Sequence, residues 1–207
     1  VFGVIAGIFK GSWIDTCIQL LSSVGMSVPS FFSAILFSWI FGYLLSEYTH
    51  LNMTGSLYEL DDYGEGSQLQ LKNLILPAFV LGIRPLAVIV QLFRSGLIEV
   101  MTQDYIRTAK AKGLSSLSIV YRHALKNSLN PVITAVSGWF ASMLAGAVFV
   151  EYIFGWRGIG KEIVTALNTL DIPVVMGSVL IIATLFIIIN IFVDLLYVVI
   201  DPQAKPF

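Results

Sequence analysis

The chain is poor in the residues that carry most protein chemistry. Its 207 residues include one cysteine, Cys17, and two histidines, His50 and His123. A single thiol excludes an internal disulfide and a thiolate metal cluster. The histidines fall on opposite sides of a predicted span, which argues against a histidine metal site within the chain. Charge is scarce as well. Asp, Glu, Lys and Arg make up 12% of the residues, where a soluble domain carries about a quarter. Apolar residues take their place: the chain is 57% hydrophobic with a mean hydropathy of +0.84, so lipid is the solvent for much of its surface. The net charge of −1 is uninformative because the charges are unevenly distributed. No nucleic-acid partner is expected.

No charged n-region with a cleavage site opens the chain. The apolar run Val1–Phe9 extends only about 13 Å as a helix, under half a bilayer core. It is expected to be the end of a membrane helix whose earlier residues lie outside this sequence, the alternative being a short interfacial or re-entrant piece. Gly3 and Gly7 have the GxxxG spacing that allows close helix contact in lipid. After a polar break from Lys10 to Asp15, Thr16 to Leu45 would reach about 45 Å if wholly helical. It must therefore tilt, kink at Pro29 or project beyond the lipid. Ser38, Gly42 and Ser46, at four-residue steps, predict a protein-facing side. Glu47 to Lys72 reads as an acidic loop, with Gly64 and Gly66 as loop signals. The sequon Asn52-Met53-Thr54 within it is a common chance match. Asn73 to Ile98 is the next span, interrupted by Pro77 and Pro85. Leu129 to Val150 follows, with Gly138, Ser142 and Gly146 as a small-residue packing face beside Ala141 and Ala145. Glu151 to Pro173 is polar, Val174 to Ile200 is the last span, and Asp201 to Phe207 is a short tail. The fold expected is an all-α, polytopic transmembrane bundle of about five spans, the first partial, forming one domain over 1–207.

Six of the twelve Lys and Arg residues cluster between Arg94 and Pro131: Arg94, Arg107, Lys110, Lys112, Arg122 and Lys126. Thr102 is expected to cap a short helix with Asp104 in its first turn and Lys110 and Lys112 in its last, the order the helix dipole favours. Gly113 stands where a left-handed residue would end that helix. Ser115 or Ser116 is expected to cap a second helix, with Leu117, Val120, Tyr121, Ala124 and Leu125 as one apolar stripe. Two short helices joined by a glycine elbow between spans make a docking element. The loop over 47–72 carries only Lys72, and the segment over 151–173 only Arg157 and Lys161. The positive-inside rule therefore places 94–128, Lys10 and the C-terminal tail with Lys205 in the cytoplasm, and the acidic segments outside.

The run Tyr105-Ile106-Arg107-Thr108-Ala109-Lys110-Ala111-Lys112-Gly113-Leu114, followed by Arg122-His123-Ala124-Leu125-Lys126-Asn127, resembles the cytoplasmic EAA loop of ABC-transporter permeases, and more narrowly that of the peptide and nickel importers. Aligned on Gly113, Arg107-Thr108-Ala109 stands for the Glu-Ala-Ala triplet. The family's glutamate and its later proline are absent, a departure associated with the peptide subgroup. The resemblance extends to Gly11-Ser12-Trp13-Ile14-Asp15, to Glu151 with Gly158-Ile159-Gly160, and to Asp201-Pro202. It implies a permease subunit in the inner membrane, without a catalytic site or cofactor of its own. It also implies a second, homologous permease subunit, an external solute-binding protein and two ATPase subunits that bind ATP and Mg. Within 99–128 it assigns the ATPase coupling to Tyr105, Arg107, Thr108, Ala109, Lys112, Gly113, Leu114 and His123, with Ala109 small enough for close approach of the partner. The solute stays open between dipeptide, oligopeptide, metal chelate and sugar.

Two further readings come from other classes. Gly155-Trp156-Arg157-Gly158-Ile159-Gly160-Lys161 has P-loop spacing, and Ile187 to Val193 followed by Asp194 mimics a strand ending on a magnesium ligand. Against an NTPase, Glu162 stands where a Ser or Thr hydroxyl should bind magnesium, and the flanking apolar runs have the length of spans. In the resembled family a proline usually precedes this Gly-x-Gly; here Arg157 does. A stand-alone channel or secondary carrier would need an ionisable relay or paired broken helices and leaves the basic element unexplained. Arg84, Asn190 and Asp194 are the polar groups within spans. Burying a charge there costs at least about 2.5–3.5 kcal/mol, so they are candidates for the translocation path, with structural pairing as the alternative.

Overall fold

Pro29 divides the first long apolar run. The structure, a computed structural model, describes residues 1–60 and 66–200. Of the three outcomes expected for Thr16–Leu45, the break at Pro29 is the one found: the run is two helices, α2 (Trp13–Ser27) and α3 (Ser30–Trp39), the latter running into a π turn over Ile40–Leu44. Pro29 is extended at ψ 143 and lies just outside α3, where its missing N–H costs nothing. Pro77 and Pro85 behave differently. The helix α5, Lys72–Val100, passes through both without a break, contrary to the expected interruption. Buried Leu76, Val80, Ala87 and Val90 hold the helix on either side of the prolines. In a medium without competing water the remaining ladder bonds are enough.

The other elements are α1 (Phe2–Ile8), α4 (Ser46–Thr49), the strands β1 (Tyr58–Leu60) and β2 (Ser67–Leu69), α6 (Asp104–Ala111), α7 (Ser116–Ile119), α8 (Leu125–Ser128), α9 (Asn130–Phe154), α10 (Ile159–Asn168) and α11 (Ile172–Ile200). The strands form an antiparallel hairpin, Tyr58 opposite Leu69 and Leu60 opposite Ser67. The acidic segment is thus a hairpin where a plain loop was expected; Asp61, Asp62, Gly64 and Glu65 lie outside the described residues. Among the described residues, Lys72–Val100 and Ile172–Val193 are each long and apolar enough to cross a membrane. The broken pair α2 and α3 reaches that length only together. The 25 residues of α9 extend about 38 Å.

The chain forms two compact units. The first comprises Val1–Ser27, Pro85–Trp139 and the segment from Asn190. In it Gly3 and Gly7 act as their spacing predicts: a Cβ on Gly3 would lie 2.7 Å from the Val90 carbonyl oxygen, and one on Gly7 2.7 Å from Leu97 Cδ2. Gly138, by contrast, has nothing within 4 Å of a Cβ. Its predicted partners Ser142 and Gly146, with Ala141 and Ala145, belong to α9, but their side-chain surroundings lie outside what is described.

The second unit, Val28–Arg84 and Phe140–Ile189, has a core of Ala34, Leu76, Val80, Val150 and Phe154. Ser38 and Gly42 face protein as expected. Ser38 Oγ donates to the Met53 carbonyl at 2.7 Å, and a Cβ on Gly42 would meet the Met53 backbone at 2.6 Å. The sequon asparagine is engaged too: Asn52 Nδ2 donates to Asn73 Oδ1 at 2.8 Å, and the amide of buried Asn73 reaches Ser56 O and Glu59 Oε1.

Candidate coupling site

The basic stretch is built on the C-terminal end of α5. Leu97 is 1% exposed and packs with Ile106 and Ala109 of α6, with Ile119 of α7 and with Ala124; Val4, Val100 and Met101 close the edge. The element is therefore locked to a candidate span through its own core. Thr102 does not cap α6, contrary to expectation. Its hydroxyl donates to Glu99 O at 2.7 Å, and Gln103 occupies the N-cap without a side-chain bond. A threonine one residue too early finds a carbonyl of the preceding helix before it reaches the free amides of the next.

The C-terminus of α6 follows from sequence. Gly113 has φ +76, its N–H donates to Lys110 O at 2.9 Å, and the Leu114 N–H donates to Ala109 O at 3.3 Å. These two bonds form a Schellman motif, which satisfies the last carbonyls and turns the chain. Ser115 then caps α7, accepting from the Ser118 N–H at 3.4 Å. Asn127 Nδ2 donates to Tyr105 Oη at 2.7 Å, a second tie across the elbow that sequence reading missed.

The apolar stripe is corrected by a π turn over Val120–Ala124 between α7 and α8. Widening the helix by one residue shifts the face. The buried side carries Ile119, Val120, Ala124 and Ser128, while Leu117 and Tyr121 are 65% and 68% exposed. Of the coupling candidates, Tyr105, Arg107, Thr108, Lys112, Gly113 and Leu114 are on the exposed side, and His123 is half-buried. Ala109 is 6% exposed and belongs to the inner core. Its small size admits α7 and Ala124, not a partner protein, because buried Ile106 and Ala109 share one side of α6. Arg107 pairs with Asp104 at 3.3 Å in a solvent-exposed contact, and such contacts contribute little. Arg94 is drawn away from the basic surface: its guanidinium is bound to Asp15 and its side chain is 21% exposed.

The P-loop spacing has a different use. Glu151 Oε2 accepts the Lys161 N–H at 3.1 Å, inside the first turn of α10. A Cβ on Gly158 would lie 2.5 Å from the Glu151 carboxylate, and one on Gly160 2.5 Å from Val148 Cα. Lys161 Nζ donates to Gly155 O at 3.3 Å. The helix N-terminus that would hold a phosphate already holds a carboxylate of the same chain, and the glycines make room for it. The flanking elements are the helices α9 and α11, so the strand of an NTPase is missing from the described flanks.

Arg84 is exposed on α5, Asn190 is half-buried on α11, and the side chain of Asp194 lies outside the described residues. Among the described residues no group of His, Cys, Asp and Glu has the arrangement of a metal site.

A family described as the binding-protein-dependent transport system inner membrane component matches residues 1–206. The dipeptide transport system permease protein DppB of Haemophilus influenzae is 44% identical, over 99% of this chain and 65% of its own length. DppB of Alkalihalophilus pseudofirmus is 40% identical, over 99% of this chain and 67% of its own length. DppB of Escherichia coli K12 is 37% identical, over 98% of this chain and 65% of its own length. The chain spans about two thirds of the length of these relatives. A match that runs through the apolar helices and the basic stretch together leaves one assignment: this chain belongs to the binding-protein-dependent transport inner-membrane component family.

Proposed function

We propose that the chain is one permease domain of an ATP-binding-cassette importer for short peptides, with 99–128 as its coupling loop. It supplies half the translocation path, with Arg84, Asn190 and Asp194 as its polar lining. A second permease subunit supplies the other half, and an external solute-binding protein delivers the solute. Two cytoplasmic ATPase subunits, carrying ATP and Mg, dock on the outer side of α6 and α7. The C-terminal tail lies on that same side of the membrane. One observation carries the reading: the coupling element is rigid and two-sided. Its inner side is fixed to Leu97 of α5. Its outer side presents Tyr105, Arg107, Lys112, Leu114, Leu117 and Tyr121 to a partner. Exposed apolar residues rimmed by charge mark a protein contact, and a flexible loop would absorb the displacement this one can transmit.

The test is Leu117→Asp combined with Tyr121→Asp. Both side chains are exposed, so insertion and folding should persist. If they are central contacts, each removes about 2 kcal/mol or more of docking energy, and the ATPase subunits should no longer co-purify. Wild-type recovery of the ATPase with this double variant would overturn the assignment of the docking face.

A further inference from the structure

The bond between Asp15 and Arg94 joins residues 79 apart in sequence. Arg94 Nε donates to Asp15 Oδ1 at 2.6 Å and Arg94 Nη2 to Asp15 Oδ2 at 2.7 Å, a side-on arrangement that uses both carboxylate oxygens. Asp15 is 2% exposed. Each oxygen has a second donor: Gln19 Nε2 reaches Oδ1 at 3.0 Å, and the Gly11 N–H reaches Oδ2 at 2.9 Å. Ser12 Oγ accepts the Asp15 N–H at 3.3 Å, which fixes the first turn of α2. Bidentate geometry with every oxygen doubly bonded holds orientation as well as distance.

The position of this pair gives it a mechanical meaning. On the α5 side, Arg94 lies one turn before Leu97, the residue on which the coupling helices pack. Gly3 and Gly7 bring the backbone of α1 against the same turns of α5. The elements α1, α5 and α6 therefore form one close-packed piece. The connection from α1 to α2 passes through Gly11, which has φ +79 and nothing within 4 Å of a Cβ position. Backbone at such a glycine is soft. The turn itself is held by the Ser12 N–H, which donates to Phe9 O at 3.0 Å, and the ion pair adds a direct tie from α2 to α5.

We propose that Asp15 and Arg94 are positioning residues that clamp α2 to α5 across the Gly11 hinge. Displacement of α6 by the ATPase is then delivered to α2 as well as to α5. The proposal rests on the functional reading above and assigns Arg94 to transmission inside the permease, where its charge alone would place it on the docking surface.

The experiment uses the complete importer in proteoliposomes and measures the uptake of radiolabelled dialanine per ATP hydrolysed. Removing one partner strands a buried charge, and assembly itself can fail. The informative variant is therefore Asp15→Leu with Arg94→Met, which keeps volume and removes both charges. The expected result is normal co-purification of the ATPase and at least a fivefold fall in dialanine transported per ATP. A purely structural pair would restore both assembly and that ratio once the stranded charge is gone, so a wild-type ratio overturns the clamp. If the double variant does not assemble, Arg94→Lys decides: it keeps the charge but not the bidentate geometry, and a wild-type ratio with it likewise overturns the clamp. Absence of ATP-dependent uptake by the wild-type complex would overturn the functional reading and the clamp together. A wild-type ratio in a variant whose parent transports overturns the clamp alone.

Discussion

Gly113→Val isolates the elbow from everything around it. Gly113 has φ +76, and a Cβ there would have no heavy atom within 4 Å. Substitution therefore adds no clash with neighbours, and the whole cost is local backbone. An L-residue in the left-handed region costs about 1–2 kcal/mol, which weakens the bent conformer roughly 5- to 30-fold. The element does not unfold in consequence. Ile106 and Ala109, at 0% and 6% exposure, hold α6 in the core with Leu97. The elbow opens instead, and the two Schellman bonds from Gly113 and Leu114 are lost. Apparent affinity for the ATPase scales with the docking-competent fraction, so it should fall by up to that same factor. Gly113→Ala should be milder than Gly113→Val. Gly113→Asn should lie close to wild type, because asparagine enters the left-handed region more readily. The assay is titration of ATPase subunits onto the purified permease, with membrane insertion as the control. Wild-type affinity with valine, or equal losses with asparagine and valine, would refute the backbone argument.

Ala109→Trp should destabilise the basic two-helix element from within. Overpacking a filled core costs typically about 1–3 kcal/mol, and faster proteolytic cleavage within 99–128 would register it. Glu151→Ala should remove the acceptor at the start of α10, at a cost of about 0.5–2 kcal/mol. The Lys161 amide should then lose protection in hydrogen exchange, while α9 keeps its own. Orientation is checked with single cysteines on a Cys17→Ser background. Those introduced at 55–60 and 66–68 should label from outside intact cells, and those at 110–120 only after permeabilisation; the reverse pattern would discard the orientation.

The physics that was legible in the sequence is short-range. Gly3, Gly7, Gly42 and Gly113 act as their spacing and neighbours predict, since a missing side chain or a left-handed turn is a property of a few consecutive residues. The placement of Asp104 and Lys110 at opposite ends of α6 follows in the same way from the helix dipole. The same local reasoning fails where a longer-range or subtler choice intervenes. Thr102 finds Glu99 O before it can cap α6. The predicted single stripe is split at a π turn over Val120–Ala124: Val120 and Ala124 are buried while Leu117 and Tyr121 are exposed. Pro29, Pro77 and Pro85 have two fates. Pro29 ends a helix, whereas packed neighbours carry α5 through Pro77 and Pro85.

What the sequence determined by itself is the class of solvent, the helical class of fold, the existence of a basic two-helix element and its glycine elbow. Hydropathy, charge order and backbone preference add up along the chain, and no distant partner is needed to read them. The tertiary structure alone decided which charges are surface and which are structure. Arg94 looks like one of six clustered basic residues until Asp15, 79 residues away, binds its Nε and Nη2. The Gly-x-Gly-Lys run looks like a phosphate loop until the Glu151 carboxylate fills the helix N-terminus. A charge is read locally, but its energy depends on what lies within a few ångströms in space. Only the fold sets that distance.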